Sequence, residues 1–349
     1  MKLAFRYFGI NDSIPLNYIK QIPNMYSVVT SLYDQKPGEK WDDISLKKLK
    51  KHCDNNFLKM EVIESIPVHE DIKLGKSTRD KYIENYIYNL RLCAKYGVKC
   101  VCYNFMPVFD WVRTNLEHIN KDGSTSLVYL EEEALKIDIN NLHLPGWDES
   151  YSKDELSNLL AEYKHISHEQ LFDNLIYFLN KLLPILEELD MNMAIHPDDP
   201  PWDIFSLPRI VSTREDLKKL FKAIPSKRNG LTLCVASLAE SKNNNVYEIC
   251  DEFAKDGRIH FAHLRNIKFI KEDNSFVETS NESIDGDIDM AQIVDILVKN
   301  NFDGYVRADH GRNIFGEKGK PGYGLYDRAL GATYINGLFE MAERNKNGK

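Results

Sequence analysis

The chain lacks the features that would send it to a membrane, a disulfide framework or a nucleic acid. No apolar run reaches the roughly 18 residues that a membrane-spanning helix needs. The opening stretch MKLAFRYFGIND is too short, and too polar beyond Ile10, for a signal peptide. Cytoplasm is therefore the expected location. The six cysteines (Cys53, Cys93, Cys100, Cys102, Cys234 and Cys250) include no CxxC pair, and a cytosolic chain of this length needs no disulfides. Buried free thiols are expected, and Cys100 with Cys102, two apart in one strand, reads better as core than as a metal pair. Positive charge is scarce: 45 Lys and Arg against 53 Asp and Glu leave a net charge of −8. That balance argues against a nucleic-acid partner. Low-complexity tracts, repeats of 20–50 residues and the P-loop spacing G-x-x-x-x-G-K-[ST] are also missing.

What is present is an alternation. Eight apolar, β-branched runs of strand length occupy residues 2–9, 27–33, 57–65, 99–107, 191–196, 230–236, 259–267 and 304–310. Amphipathic helices are expected between them, over 78–97, 168–190, 213–224, 290–301 and 326–345. Ser77, Ser167 and Ser212 or Thr213 are candidate N-caps, and Gly97 a candidate C′ residue. Strand then helix, eight times, is the pattern of an α/β fold of the (β/α)8 TIM-barrel type, with an open doubly wound sheet as the alternative. One domain over 1–349 is expected, with an insertion at about 108–167 after the fourth strand. Residues 129–142 within it look helical, which suggests a partly helical cover over one barrel mouth.

Barrel enzymes build their sites at the C-terminal ends of their strands. The last four strands end at or near His196, Cys234, His263 and Asp309. All four are metal-ligand types, and adjacent strands lie about 4.8 Å apart, so one divalent ion can gather them. Each residue alone has an ordinary structural reading; four in one register are hard to obtain from packing. A thiolate favours Zn2+ or Fe2+, a carboxylate tolerates Mn2+, and a catalytic ion needs open positions. Fe2+ or Mn2+ is therefore expected over a closed tetrahedral zinc. Strand alternation sends Asp309 and His310 to opposite sides unless the loop turns His310 back. Tyr323 stands between two glycines in GEKGKPGYGLYDRALGA, which reads either as a flexible lead into the last helix or as a mobile lid. Arg265 shares a face with His263 and is a candidate clamp for a substrate carboxylate. YNFMPVFDWVRT places Asn104, Asp110, Trp111 and Arg113 just after the fourth strand, to line a pocket or anchor the insertion.

These residues sit in blocks that resemble the mannonate dehydratase family over almost the whole chain: FRYFG, VTSLYD, VIESIPVHEDIK, YNFMPVFDW, HPDDPPW, TLC, HLRN, DHGR and PGYGLYDRALGATYINGL. The resemblance implies a xylose-isomerase-like barrel. It implies a lyase that removes water from D-mannonate to give 2-dehydro-3-deoxy-D-gluconate in hexuronate breakdown, with Mn2+ or Fe2+ as cofactor. It assigns the metal to His196, Cys234, His263 and Asp309, and acid–base roles to His310 and Tyr323. Its partner is a small sugar acid, with no nucleic acid or membrane, and a homo-oligomer, a dimer, is expected. Three positions depart from the family pattern: Ala236, Ala308 where proline is expected, and Asn281 where histidine is more usual. Two other readings stand beside the dehydratase: a metal-dependent sugar isomerase or epimerase on the same barrel, and a catalytically silent barrel that binds a sugar acid.

Overall fold

A computed structural model of the chain describes residues 1–137 and 152–348. Its strands, in chain order, are β1 (Lys2–Arg6), β2 (Ser27–Thr30), β3 (Lys59–Glu64), β4 (Cys100–Tyr103), β5 (Asn115–Ile119), β6 (Thr125–Tyr129), β7 (Asn192–Ile195), β8 (Asn229–Cys234), β9 (Ile259–His263), β10 (Ile267–Phe269), β11 (Phe276–Glu278) and β12 (Tyr305–Arg307). Eight of them close a barrel in the order β1-β12-β9-β8-β7-β4-β3-β2, and every adjacent pair is parallel. All eight expected runs are barrel strands, so the closed (β/α)8 barrel stands and the open sheet does not. The runs overshoot the strands because apolar character continues into the loops that line the barrel mouth.

The barrel interior is filled by small and medium side chains, among them Ala4, Val29, Val62 and Ala194 with both Cys100 and Cys102, and by the larger Phe261 and Tyr305. A larger apolar layer lies between strands and helices. The helix His168–Glu188 shows how the sequence builds that layer. Leu171, Leu175, Phe178, Leu179, Leu182 and Leu186 recur at helical spacing and are all buried. Ser167 starts the helix with a reciprocal capping box to Gln170. Thr213 caps the next in the same way. The helix Arg79–Lys95 departs from expectation, because Thr78 rather than Ser77 precedes it and makes no side-chain cap bond. Gly97 does close it, at φ +84°.

The insertion differs more. It contains a helix Lys153–Tyr163, but residues 129–142 are not one helix. Tyr129 ends β6, only Glu131–Ala134 is helical, and residues 138–142 lie outside the described residues. The β-rich run TSLVY outweighs the helix-forming acids that follow it. The hairpin of β5 and β6 turns at Asp122-Gly123, with Gly123 at φ +82°, a turn chemistry suited to a tight connection. It pairs with a second hairpin, β10 and β11, in a four-stranded antiparallel sheet of order β10-β11-β6-β5. The expected single run over 259–267 therefore breaks, ending the barrel strand at His263 and starting β10 at Ile267.

One glycine sets how closely the last helix, Tyr326–Lys346, approaches the barrel. A Cβ at Gly331 would lie 2.0 Å from Asn281 Oδ1 and 3.3 Å from the Ala308 Cβ. Asn281 Nδ2 in turn donates to the Leu264 carbonyl. Gly331→Ala is expected to cost about 1–3 kcal/mol through overpacking, read as a lower urea midpoint with an unchanged m-value; an unaltered midpoint would show that the helix has slack there.

Candidate metal centre and acid–base pair

The strand ends bring the expected ligands to one rim. Cys234 is in register with His263 across β8 and β9, and His263 with Arg307 across β9 and β12. His196 directly follows β7, and Asp309 lies two residues past β12. Ligand atoms of His196, Cys234 and His263 all lie within 4.8 Å of one another. Asp309 stands beside this trio rather than inside it. Its Oδ1 is 3.7 Å from His263 Nδ1 and its Oδ2 is 3.8 Å from Cys234 Sγ.

The state of the two imidazoles fits a metal. His196 Nδ1 lies 2.7 Å from the Pro197 carbonyl, so it carries the hydrogen and leaves Nε2 as the lone-pair side. The proline after His196 thus supplies the acceptor that selects the tautomer. His263 is fully buried, and neither of its ring nitrogens has a hydrogen-bond partner among the described residues. Leaving a buried polar atom unpaired costs about 1–3 kcal/mol, so an imidazole in this state calls for a ligand. Glu64 Oε2, 3.5 Å from His263 Nε2, is the nearby carboxylate that would orient the ring while Nδ1 faces the centre. Cys234 is also fully buried, with Ser237 Oγ at 3.0 Å and Arg265 Nη2 at 3.7 Å from its sulfur. Glu64, Cys102 and His263 form a second compact group. There Glu64 is bracketed by Arg6 and Arg307, each at 3.0 Å, which favours the orienting role over ligation.

Asp309 has φ +56°. The left-handed conformation is uncommon outside glycine, though Asp tolerates it better than most residues. It turns the chain so that His310, which alternation alone would send away, faces the same cleft. Arg307 holds Asp309 Oδ1 at 2.6 Å. Burial alone would raise the Asp309 carboxyl, but Arg307 foremost outweighs it and keeps the group well below the usual carboxylate range. His310 Nε2 lies 3.0 Å from the Tyr323 hydroxyl, and Trp111 meets the imidazole edge-on at 6.2 Å between ring centroids. Burial pushes the Tyr323 phenol up to about 12, against the pull of Arg307 and Arg6, so it keeps its proton at neutral pH. The cleft has a cavity volume of about 120 Å³, and Asn104, Asp110 and Trp111 line it with His196, Asp309, His310 and Tyr323.

Arg265 reaches the cleft wall, yet its guanidinium is engaged by the protein. Nη1 bonds Glu278 at 2.7 Å, and Nη2 bonds Asp199 at 2.8 Å and Glu240 at 3.2 Å. As a clamp for a substrate carboxylate it would first have to leave these partners. Arg113, singled out after the fourth strand, is fully buried in the same network, bonded to Asp199, Glu240 and Glu278. Sequence reasoning missed Arg6, Glu64 and Arg307, which line the cleft, as well as Glu240 and Glu278. Arg307 had a signal, since it alternates with Asp309. Arg6 and Glu64 end their strands, as the chosen ligands do. The departures from the family pattern lie behind the site: Asn281 holds the carbonyls of Leu264 and Ala308, Ala236 is fully buried in the core, and none of the three lines the cleft.

Residues 1–349 match the family model for D-mannonate dehydratase (UxuA). Mannonate dehydratases from Oceanobacillus iheyensis and Thermotoga neapolitana are each 48% identical to the chain, with 99% of both sequences covered. The chain belongs to the mannonate dehydratase family. A crystal structure of mannonate dehydratase from Streptococcus suis superposes with a TM-score of 0.93 at 44% identity, covering 100% of this chain and 96% of that one. D-Psicose 3-epimerase from Clostridium cellulolyticum superposes with a TM-score of 0.58 at 9% identity, a likeness of fold alone. The barrel is thus shared with epimerases, while the sequence sides with the dehydratases. Among the described residues no helix is long and apolar enough to cross a membrane.

His263→Ala and Cys234→Ser are each expected to purify folded but without stoichiometric divalent metal, measured by elemental analysis after metal loading. Full metal occupancy in both variants would place the ion elsewhere.

Proposed function

We propose that this enzyme is a hydro-lyase that removes water from D-mannonate to give 2-dehydro-3-deoxy-D-gluconate, as part of hexuronate breakdown. The observation that carries the reading is the meeting, in one cleft, of a metal-ready donor set with a hydrogen-bonded imidazole–phenol pair. His196, Cys234, His263 and Asp309 would hold the ion, and Mn2+ or Fe2+ is the assignment we favour. Four donors of mixed nitrogen, sulfur and oxygen type leave a five- or six-coordinate ion open to substrate, which a closed tetrahedral zinc would not be. When bound, such an ion supplies Lewis-acid stabilisation of the negative charge that builds on carboxylate and hydroxyl oxygens.

The remaining chemistry falls to the chain. Elimination needs a base for the C2 proton and an acid for the C3 hydroxyl, since hydroxide leaves poorly. His310 Nε2 and the Tyr323 hydroxyl, 3.0 Å apart, form a pair with one lone pair and one proton, and we assign the acid–base work to them. The phenol, held protonated by burial, is the member with a proton to give. Arg6 and Arg307 are the better candidates for gripping substrate oxygens than Arg265. Each lines the cleft; Arg307 keeps Nε and Nη1, and Arg6 its Nε, without a hydrogen-bond partner among the described residues, while Arg6 Nη1 lies 3.0 Å from Glu64 Oε2.

A cytoplasmic homodimer is the setting we propose. Tyr326, Leu330 and Met341 leave an exposed apolar row on the last helix, 47%, 51% and 57% accessible, which suits a second copy.

Incubating metal-reconstituted protein with D-mannonate under reducing, anaerobic conditions is expected to yield a 2-keto-3-deoxy acid by colour assay. An isomeric aldonate or ketose, or ligand binding with no turnover, would overturn the reading. Tyr323→Phe is expected to retain metal and lose roughly 10²- to 10⁴-fold in kcat; near-normal turnover would remove Tyr323 from the mechanism.

A further inference from the structure

An imidazole that exchanges protons with a phenol must present the right nitrogen, and the barrel strands supply nothing that fixes His310. The group that does so comes from the four-stranded sheet. Glu278 ends β11 and is 4% exposed. Its Oε2 and Oε1 lie 2.9 and 3.1 Å from His310 Nδ1. We propose that Glu278 is a positioning residue for the dehydration, holding His310 as the Nδ1–H tautomer so that the Nε2 lone pair faces the Tyr323 hydroxyl. This rests on the acid–base role proposed above for His310 and Tyr323.

The contacts around Nδ1 decide the tautomer. Arg265 Nη1 also lies 3.1 Å from Nδ1, and were that its main bond, Nδ1 would have to accept. The same Nη1 already donates to Glu278 Oε1 at 2.7 Å, the shorter and charge-assisted bond. A carboxylate has no hydrogen to give, so two short contacts from its oxygens to a bare ring nitrogen would be repulsive. Nδ1 therefore carries the hydrogen and donates it to Glu278. In the neutral ring the far edge is then left with a lone pair, 3.0 Å from the phenol oxygen.

Glu278 is itself held in place. Arg113 Nε donates to Oε1 at 3.0 Å, Arg113 Nη2 lies at 2.9 Å, and both arginines are tied to Asp199 and Glu240. β11 pairs with β6 through Phe276–Tyr129 and Val277–Val128. The insertion thereby braces the strand that carries the carboxylate.

The test uses Glu278→Gln and Glu278→Asp, with His ring nitrogen resonances read by NMR in the full-length zinc-loaded, diamagnetic protein, and kinetics on D-mannonate in the Mn2+-loaded enzyme. In Glu278→Gln the single amide oxygen is claimed by the two guanidiniums. The amide NH2 then faces Nδ1, which must accept, and the hydrogen moves to Nε2. The expected result is Nδ1–H in the wild type and Nε2–H in Glu278→Gln. With it should come a loss in kcat of at least about 10-fold, with KM and metal content within twofold of wild type. Glu278→Asp, which keeps the carboxylate, should restore the Nδ1–H tautomer and part of kcat. An Nε2–H wild type, an unchanged tautomer in Glu278→Gln, or equal kcat in both variants and wild type would overturn the proposal. Should Glu278→Gln fail to fold, the wild-type tautomer and the Glu278→Asp kinetics decide it. A wild-type Nδ1–H tautomer in a protein that makes no 2-keto-3-deoxy acid would instead count against the dehydratase reading and leave the positioning geometry standing.

Discussion

The structure turns on a buried imidazole whose ring nitrogens make no hydrogen bond among the described residues. His263 sits at the end of β9, sealed from water, with both nitrogens unpaired among the described residues. A buried polar group left without a hydrogen bond calls for something to complete it, such as an ion or a water. Its surroundings indicate what that is: a thiol from β8, an imidazole from just past β7 and a carboxylate from just past β12. Parallel closure puts these four strand ends on one rim. The candidate metal site thus follows from the barrel topology, with one prospective donor from each of four consecutive staves.

Around that centre the protein has built an ionic frame. Arg113, Arg265 and Arg307 lie buried among Asp199, Glu240, Glu278, Glu64 and Asp309. Burying so many charges is costly unless each is paired and hydrogen-bonded. The reward is rigidity at the donor atoms. The frame shows in the carboxyls it contains. Burial would raise the Glu278 carboxyl, but Arg265 foremost, with His310 and Arg113, holds it down at about 2. Glu240, by contrast, is pushed well above the usual range by burial and by its neighbour Asp199.

Much of this was legible in the sequence, for physical reasons. The eight barrel strands are short and buried on both faces, so they read as continuous apolar runs. The candidate ligands interrupt those runs at their ends, where a polar residue has no place in a packing pattern. Arginines at strand ends were harder, because a cation beside a cation site looks wrong until its carboxylate partners are known. Arg265 could be read as a substrate clamp for the same reason: alternation gives its face, but only the fold shows Asp199, Glu240 and Glu278 converging on it. The sheet β10-β11-β6-β5 was not legible at all. Its strands are as short as three residues, and its two hairpins come from segments more than a hundred residues apart. Glu278 carried no local signal, since its importance comes wholly from what that pairing places beside it.

X-ray absorption at the metal edge of the Mn2+- or Fe2+-loaded enzyme tests the convergence most directly. One sulfur scatterer with the remainder nitrogen and oxygen, two of them imidazole, is the shell that His196, Cys234, His263 and Asp309 would produce. A shell of oxygen and nitrogen alone, with no sulfur, would mean that the strand ends do not share an ion.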